Sequence, residues 1–369
     1  MKRVPLLQYY SEIGAEIGEF AGWITPLWFT SNKEEHLAVR SSVGIFDITH
    51  MTRIAVRGEH SEKLLQQVLT IDVEKLKPGK MKYCLMCSEE GKIIDDLTVF
   101  RHPTDRRSFI IVCNAITHDK VLRILDQLSQ NMDVEITDLT FETSLYAVQG
   151  PRSLELISRF CEMDLSILKW FTGVETKIDD VNTLITRSGY TGENGYELML
   201  WSWELENLRK IWNKIVKLGS TPCGLAARDS LRLEAGYPLY GQDIDENVSP
   251  VEARLTFAID FSKEYFIGKE AIERAISEGK PRRLLVGFKA IEKIIPRRGY
   301  RIVDKDNQVV GEVTSGGFSF TLGVGIGLGY VNSEYANEGE RLKLEVKDKY
   351  REVEVTLEPI VSHKMKHPH

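Results

Sequence analysis

The spacing of apolar positions divides the chain into stretches of helical period and stretches that alternate like strands. Leu64, Leu65, Val68 and Leu69 fall on one face of a helix opening at Ser61. Val121, Ile124, Leu125 and Leu128 do the same in a helix that Thr117 can cap. Leu205, Leu208, Trp212 and Ile215 form a third inner stripe, and a further helix over Leu225–Glu234 sets Arg228 and Arg232 four apart on one face. The residues there favour surface pairing of the two arginines with Asp229 and Glu234. Ser31 with Glu34 three positions on is a capping box that opens a helix through Val39. Residues 5–29, dense in aromatics and broken by glycines and Pro26, read as irregular chain packed on a core.

Strand patterns occupy 53–56, 81–87, 91–101, 108–113, 184–187 and 196–200. Ser88-Glu89-Glu90-Gly91 between two of them predicts a hairpin that carries Asp95 and Asp96 inside its second strand. Side chains alternate across a sheet, so Asp96 lines up with Ile94, Thr98 and Phe100, and Asp95 points the other way. A loop of two or four residues puts Tyr83 on the Asp96 face, whereas a three-residue loop separates them. The residues alone admit a strand Asp hydrogen-bonded to Tyr83, or a carboxylate of tuned pKa on a pocket floor. Glu197 also stands mid-strand, after a turn with three glycines in eight residues, and a buried carboxylate there needs a partner. Asn114 sits between a strand and a helix, either as a turn former or as an amide facing a cleft. His50 reads as a satisfied structural histidine.

These elements give an α+β class, with an inserted α+β unit over 53–140 and an all-β region from Arg282, where Gly316-Gly317 reads as a turn. The boundary before it falls in a Lys/Glu-rich helix over 269–283. At 369 residues the chain exceeds one usual core. A formal charge of −6, from 48 basic and 54 acidic side chains without a basic block, speaks against nucleic acid as a partner. No apolar run has the length of a signal peptide or membrane span, which predicts a cytoplasmic protein. Five irregularly spaced cysteines fit reduced core thiols, and no Cys/His pairing has zinc-site spacing.

Taken in order, several segments resemble the aminomethyltransferase of the glycine cleavage system, the T-protein family. They are F-A-G-W-I-T-P-L from Phe20, F-D-I-T-H-M from Phe46, I-I-D-D-L from Ile93, and S-G-Y-T-G-E-N-G-Y-E from Ser188. G-L-A-A-R-D-S-L-R-L-E from Gly224, Y-G-Q-D-I-D-E from Tyr240 and T-S-G-G-F-S from Thr314 complete the set. The resemblance implies a three-domain cloverleaf: a discontinuous first domain of 1–52 with 141–268, the insertion 53–140, and a jelly-roll or barrel-like domain over 282–369. It implies transfer of the aminomethyl carbon from a lipoylated carrier, the H-protein, to tetrahydrofolate with release of ammonia, in a monomer or weak homodimer. By the same resemblance Asp96 is the catalytic carboxylate. Glu197 and Arg228 hold the pterin edge, Tyr83 and Tyr190 wall the ring, and Asn114 and Met51 complete the folate site. Asp95 serves as the structural control.

Two departures stand out: Phe320 replaces a proline usual in the family, and the C-terminus lacks the aromatic and Arg often found there. Lys364 is the candidate substitute for the contact to the folate tail. Two alternatives share the fold. One is a tetrahydrofolate-dependent demethylase. The other is a non-catalytic folate-binding factor for iron–sulfur maturation, whose Cys-containing motif is absent from the run Ala235 to Asp243.

Overall fold

The computed structural model describes residues 1–279, 281–347, 349–357 and 359–361, so Lys364 lies outside the described residues. The chain forms two compact units: Met1–Leu85 with Asp95–Arg228, and Met86–Ile94 with the chain from Asp229 on.

In the first unit a six-stranded sheet runs in the order Gly173–Ile178, Val181–Thr186, Gly195–Leu200, Ser144–Gln149, Gly44–Asp47, Thr221–Cys223. Neighbours are antiparallel except the last pair, which is parallel. Helix Leu205–Lys217 packs Leu208, Ile211, Trp212 and Ile215 into the core at the i, i+3, i+4, i+7 spacing of one face. Leu205 is 58% exposed, because the apolar stripe starts one turn into the helix. Trp212 meets Tyr10 and Tyr146 with ring centroids 4.8 and 5.4 Å apart, in tilted and edge-on geometry. The stretch expected to be irregular supplies a helix, Leu7–Glu12, and two strands, Glu16–Phe20 and Trp23–Trp28. Ala21 and Gly22 both take positive φ and close these strands as a two-residue hairpin, which the aromatic density conceals in the sequence.

A five-stranded sheet runs Met81–Cys87, Ile93–Arg101, Ser108–Cys113, Thr52–Arg57, Glu135–Asp138. Along Ile93–Arg101 burial alternates: Ile93, Asp95, Leu97 and Val99 are buried while Ile94, Asp96 and Thr98 are half-buried. The two carboxylates therefore leave opposite faces of one strand. Ser31 caps helix Asn32–Ser41 as expected, accepting from the Glu34 amide at 3.2 Å. Thr117 does not cap helix His118–Leu128, since its hydroxyl is engaged by Asp95.

The second unit holds a closed barrel of six antiparallel strands. Their order is Arg283–Ala290, Val324–Asn332, Val309–Ser319, Arg301–Val303, Arg341–Val346, Lys349–Thr356. Val286, Phe288, Ile302, Val313, Leu344 and Val355 fill it. Closure removes both sheet edges and decides between the barrel and jelly-roll expectations. Gly316-Gly317 is not a turn: both lie within an extended run, paired with Gly327 and Ile326. The helix expected to run to Arg283 spans only Lys269–Ser277. Arg232 pairs with Asp229 at 2.8 Å as expected, but it is wholly buried rather than at the surface and also pairs with the buried Asp243 at 2.7 Å. Glu234 is engaged instead by Ser319 at 2.6 Å and by Thr321 at 2.8 Å. A charge pair enclosed this deeply needs further donors, and Ser315 and the Leu239 amide both donate to Asp243.

No described helix is long and apolar enough to cross a membrane. All five cysteines are free and buried.

Candidate functional site

Two strands that are neighbours in the five-stranded sheet bring Tyr83 to Asp96: the phenol donates to Oδ2 at 3.0 Å. Asn114, just past the end of the adjoining strand, donates from Nδ2 to Asp96 Oδ1 at 2.9 Å and to the Asp96 carbonyl at 3.0 Å. The same nitrogen lies 2.6 Å from Asp95 Oδ1. Asp95 Oδ2 is 2.6 Å from the Thr117 hydroxyl and accepts from the Asn114 amide at 3.3 Å. Asp95 thus leaves the opposite strand face yet is joined to Asp96 through one carboxamide, so it is not an independent control.

Burial first, then the adjacent Asp96, pushes the Asp95 carboxyl up to about 8. Asp96 is raised as well by burial, against the hydrogen bonds from Tyr83 and Asn114. Tyr83 is held neutral, its phenol raised by burial and by Asp96. Two carboxyls this close titrate as a pair, and the one sealed in the core keeps its proton longer.

Glu197 stands on a central strand of the six-stranded sheet, in register with Ala147 on one side and Thr186 on the other. Ser188 donates to its Oε2 at 2.5 Å and is itself 2.8 Å from the Thr186 hydroxyl. Helix Leu225–Glu234 delivers Arg228, whose guanidinium carbon sits 4.8 Å from the centre of the Tyr190 ring. Burial lowers Arg228, while Glu197 and then Tyr190 act in the opposite sense. Arg228 Nη1 is buried without a hydrogen-bond partner among the described residues, as is His50 Nδ1. His50 is pulled down to about 3 by burial, then by Arg228 and Arg53, so its imidazole is neutral.

Tyr190 also acts electrostatically on Tyr83. Contacts join Asp96 to Tyr83 and Tyr190 to Arg228, and electrostatic interaction links Tyr83 with Tyr190 and Arg228 with Glu197, all within the first unit. Asn114 joins them at Asp96. Met51 is held through its backbone, its carbonyl accepting from the buried Arg53 guanidinium and its amide donating to the Ile48 carbonyl at 3.0 Å. Sequence reasoning passed over Ser188, Thr117 and the link from Asp95 to Asn114. Thr117 was visible only as a helix cap, and Ser188 only as one polar residue in a glycine-rich turn.

The chain matches two family profiles: the GCVT N-terminal domain over residues 6–263 and the glycine cleavage T-protein C-terminal barrel domain over 283–361. It is 38% identical to an aminomethyltransferase of Thermosipho melanesiensis, covering 97% of each chain. It is 42% identical to one of Geobacillus kaustophilus, covering 95% of each. The crystal structure of the glycine cleavage system aminomethyltransferase T from Bartonella henselae superposes with a TM-score of 0.90 at 33% identity, over 98% of both chains.

Proposed function

The chain belongs to the glycine cleavage T-protein family of aminomethyltransferases, and we propose that Asp96 drives its transfer of a one-carbon unit to tetrahydrofolate. The donor in this reading is the aminomethyl group carried as a thioether on a lipoylated carrier protein, and ammonia leaves. Asp96 takes the proton of the attacking folate amine and offsets the positive charge that develops on the carbon as sulfur departs. Tyr83 and Asn114 are neutral donors, so they orient this carboxylate without cancelling its charge.

Glu197 presents two acceptor oxygens that match the amino group and adjacent ring N–H of a reduced pterin. The unpartnered Arg228 Nη1 suits the pterin carbonyl, because a buried guanidinium N–H without an acceptor is costly. Tyr83 and Tyr190 flank the ring, and Met51 contributes at its margin. The observation that carries this reading is the buried, unpartnered Arg228 Nη1 beside Tyr190, linked electrostatically to Glu197 on one side and through Tyr190 to the Tyr83–Asp96 pair on the other. The test supplies purified protein with aminomethylated lipoyl carrier and tetrahydrofolate and measures ammonia and methylenetetrahydrofolate. Equal yields of both support it. Methyl transfer from a small methylated compound, with no turnover of the carrier, overturns it.

A further inference from the structure

Asp95 has no part in the chemistry above, yet it is a wholly buried carboxyl with every oxygen engaged. The hydrogen-bond arithmetic around it is restrictive. Asn114 Nδ2 is met by three oxygens: Asp95 Oδ1 at 2.6 Å, Asp96 Oδ1 at 2.9 Å and the Asp96 carbonyl at 3.0 Å. A carboxamide turned the other way would set its own oxygen against all three, so the surroundings leave one orientation.

Thr117 has a single hydroxyl proton and two acceptors in reach, Asp95 Oδ2 at 2.6 Å and the Asn114 carbonyl at 2.9 Å. An ionised Asp95 takes that proton, and the Asn114 carbonyl then keeps the Thr52 hydroxyl at 3.2 Å and the Thr117 amide at 3.3 Å. A protonated Asp95 donates to Thr117, which donates onward to the carbonyl; hydrogen bonding is met in both states, and the neutral one is favoured because Asp95 is wholly buried next to a second carboxyl. Among the described residues, the titratable groups that interact with Asp95 are Asp96 on its own strand and Cys113 on the neighbouring one. Burial, then Asp95, keeps the Cys113 thiol neutral. None of these is a cation.

We infer that Asp95 is a positioning residue for Asp96: as the protonated member of the pair, it fixes the Asn114 carboxamide with its N–H2 group toward the reacting carboxylate. The inference rests on the assignment of Asp96 as proton acceptor. It adds that one negative charge, not two, resides on the Asp95–Asp96 pair during turnover, with the charge on the half-buried member that faces the ligand. Loss of the Asp95 proton adds a second acceptor of full charge, which competes with Asp96 for the Asn114 amide.

The experiment compares wild type, Asp95→Ala and Asp95→Asn in kcat, in tetrahydrofolate Kd by calorimetry and across pH 6 to 9.5. Asp95→Ala lowers kcat at least tenfold with Kd within threefold, whereas Asp95→Asn, the neutral isostere, recovers most of that loss. Wild-type kcat falls on the alkaline side with an apparent pKa of about 8, and Asp95→Asn lacks that limb. Difference infrared spectra of wild type show a neutral carboxylic-acid band that titrates in the same range and is missing from Asp95→Asn. This band reports on Asp95 whether or not the substrate assignment holds, and it does not depend on the Ala variant folding. Wild-type kcat in Asp95→Ala, equal loss in both variants, or no titrating band overturns the inference. Failure of wild type to pass any one-carbon unit to tetrahydrofolate would instead overturn the functional reading.

Discussion

At Asp96 the choice of partners matters more than their number. A cation beside the carboxylate would hold its pKa down and weaken it as a base, whereas a phenol and a carboxamide orient it and leave its charge in place. Replacing Asp96 with Asn keeps the shape and removes the proton acceptor. The expected result is a fall in kcat of about a hundredfold or more, with tetrahydrofolate affinity within a few-fold by calorimetry. A matching loss of affinity would reassign Asp96 to binding. Glu197→Gln replaces an acceptor oxygen with a donor and leaves Arg228 facing a neutral group. A tenfold or greater weakening of tetrahydrofolate binding is expected, from about 1.5 to 3 kcal/mol for a charged hydrogen bond. Unchanged affinity would remove Glu197 from the pterin edge. The face of the strand that Asp96 occupies was readable from period-two alternation. Its link to Asp95 was not, because Asn114 reaches both acids from beyond the end of another strand.

Among the elements, the turn from Ser188 to Gly195 shows how backbone sets the site. Gln149 lies under it, donating to the Ser188 carbonyl at 3.0 Å and accepting from Thr191 at 2.8 Å. A Cβ on Gly189 would fall 2.0 Å from Gln149 Oε1, and one on Gly195 would fall 2.3 Å from its Nε2. Gly189→Ala is therefore expected to destabilise by about 1–3 kcal/mol through overpacking. Because Ser188 and Tyr190 flank that position, pterin affinity falls with it. Shortening Gln149 to Ala in the same chain should recover part of the stability in a denaturant titration; additive losses would mean the clash is not the cause. The glycine spacing in the sequence announced a close approach, although not that a glutamine side chain makes it.

For the molecule as a whole, the segments that carry the family resemblance divide between two tasks. In Gly224 to Glu234, Arg228 belongs to the first unit and its site, whereas Arg232 and Glu234 bond to Asp243, Ser319 and Thr321 within the second. Much of the motif content therefore serves folding. Stability should also depend on pH through His118, whose Nε2 is 2.9 Å from Asp138. The hydrogen bond to Asp138 raises His118 in the folded state, so its contribution is full below the unfolded histidine pKa, near 6.5, and fades as pH rises through the folded value. Asp138 is held down to about 2, burial opposing and the hydrogen bond from His118 prevailing. Its contribution is full above the unfolded Asp value, near 3.9, and is lost as pH falls toward 2. The pair supports the fold best between roughly pH 4 and 6.5. His118→Gln should flatten the decline in Tm between pH 6.5 and 8; an unchanged slope would show that other groups govern it.

Helical stripes, alternating strands, the Ser31 cap and the order of motifs were set by local chemistry, and each could be read along the chain because its partners lie within a few residues. Whether Arg232 would be buried, where Thr117 would send its hydroxyl, how residues 5–29 would fold, and that Asp95 and Asp96 would share one amide depended on groups brought together from distant positions. Burial and hydrogen-bond partnership across such separations exist only once the sheets have formed, and they decide which of two adjacent acids carries the charge.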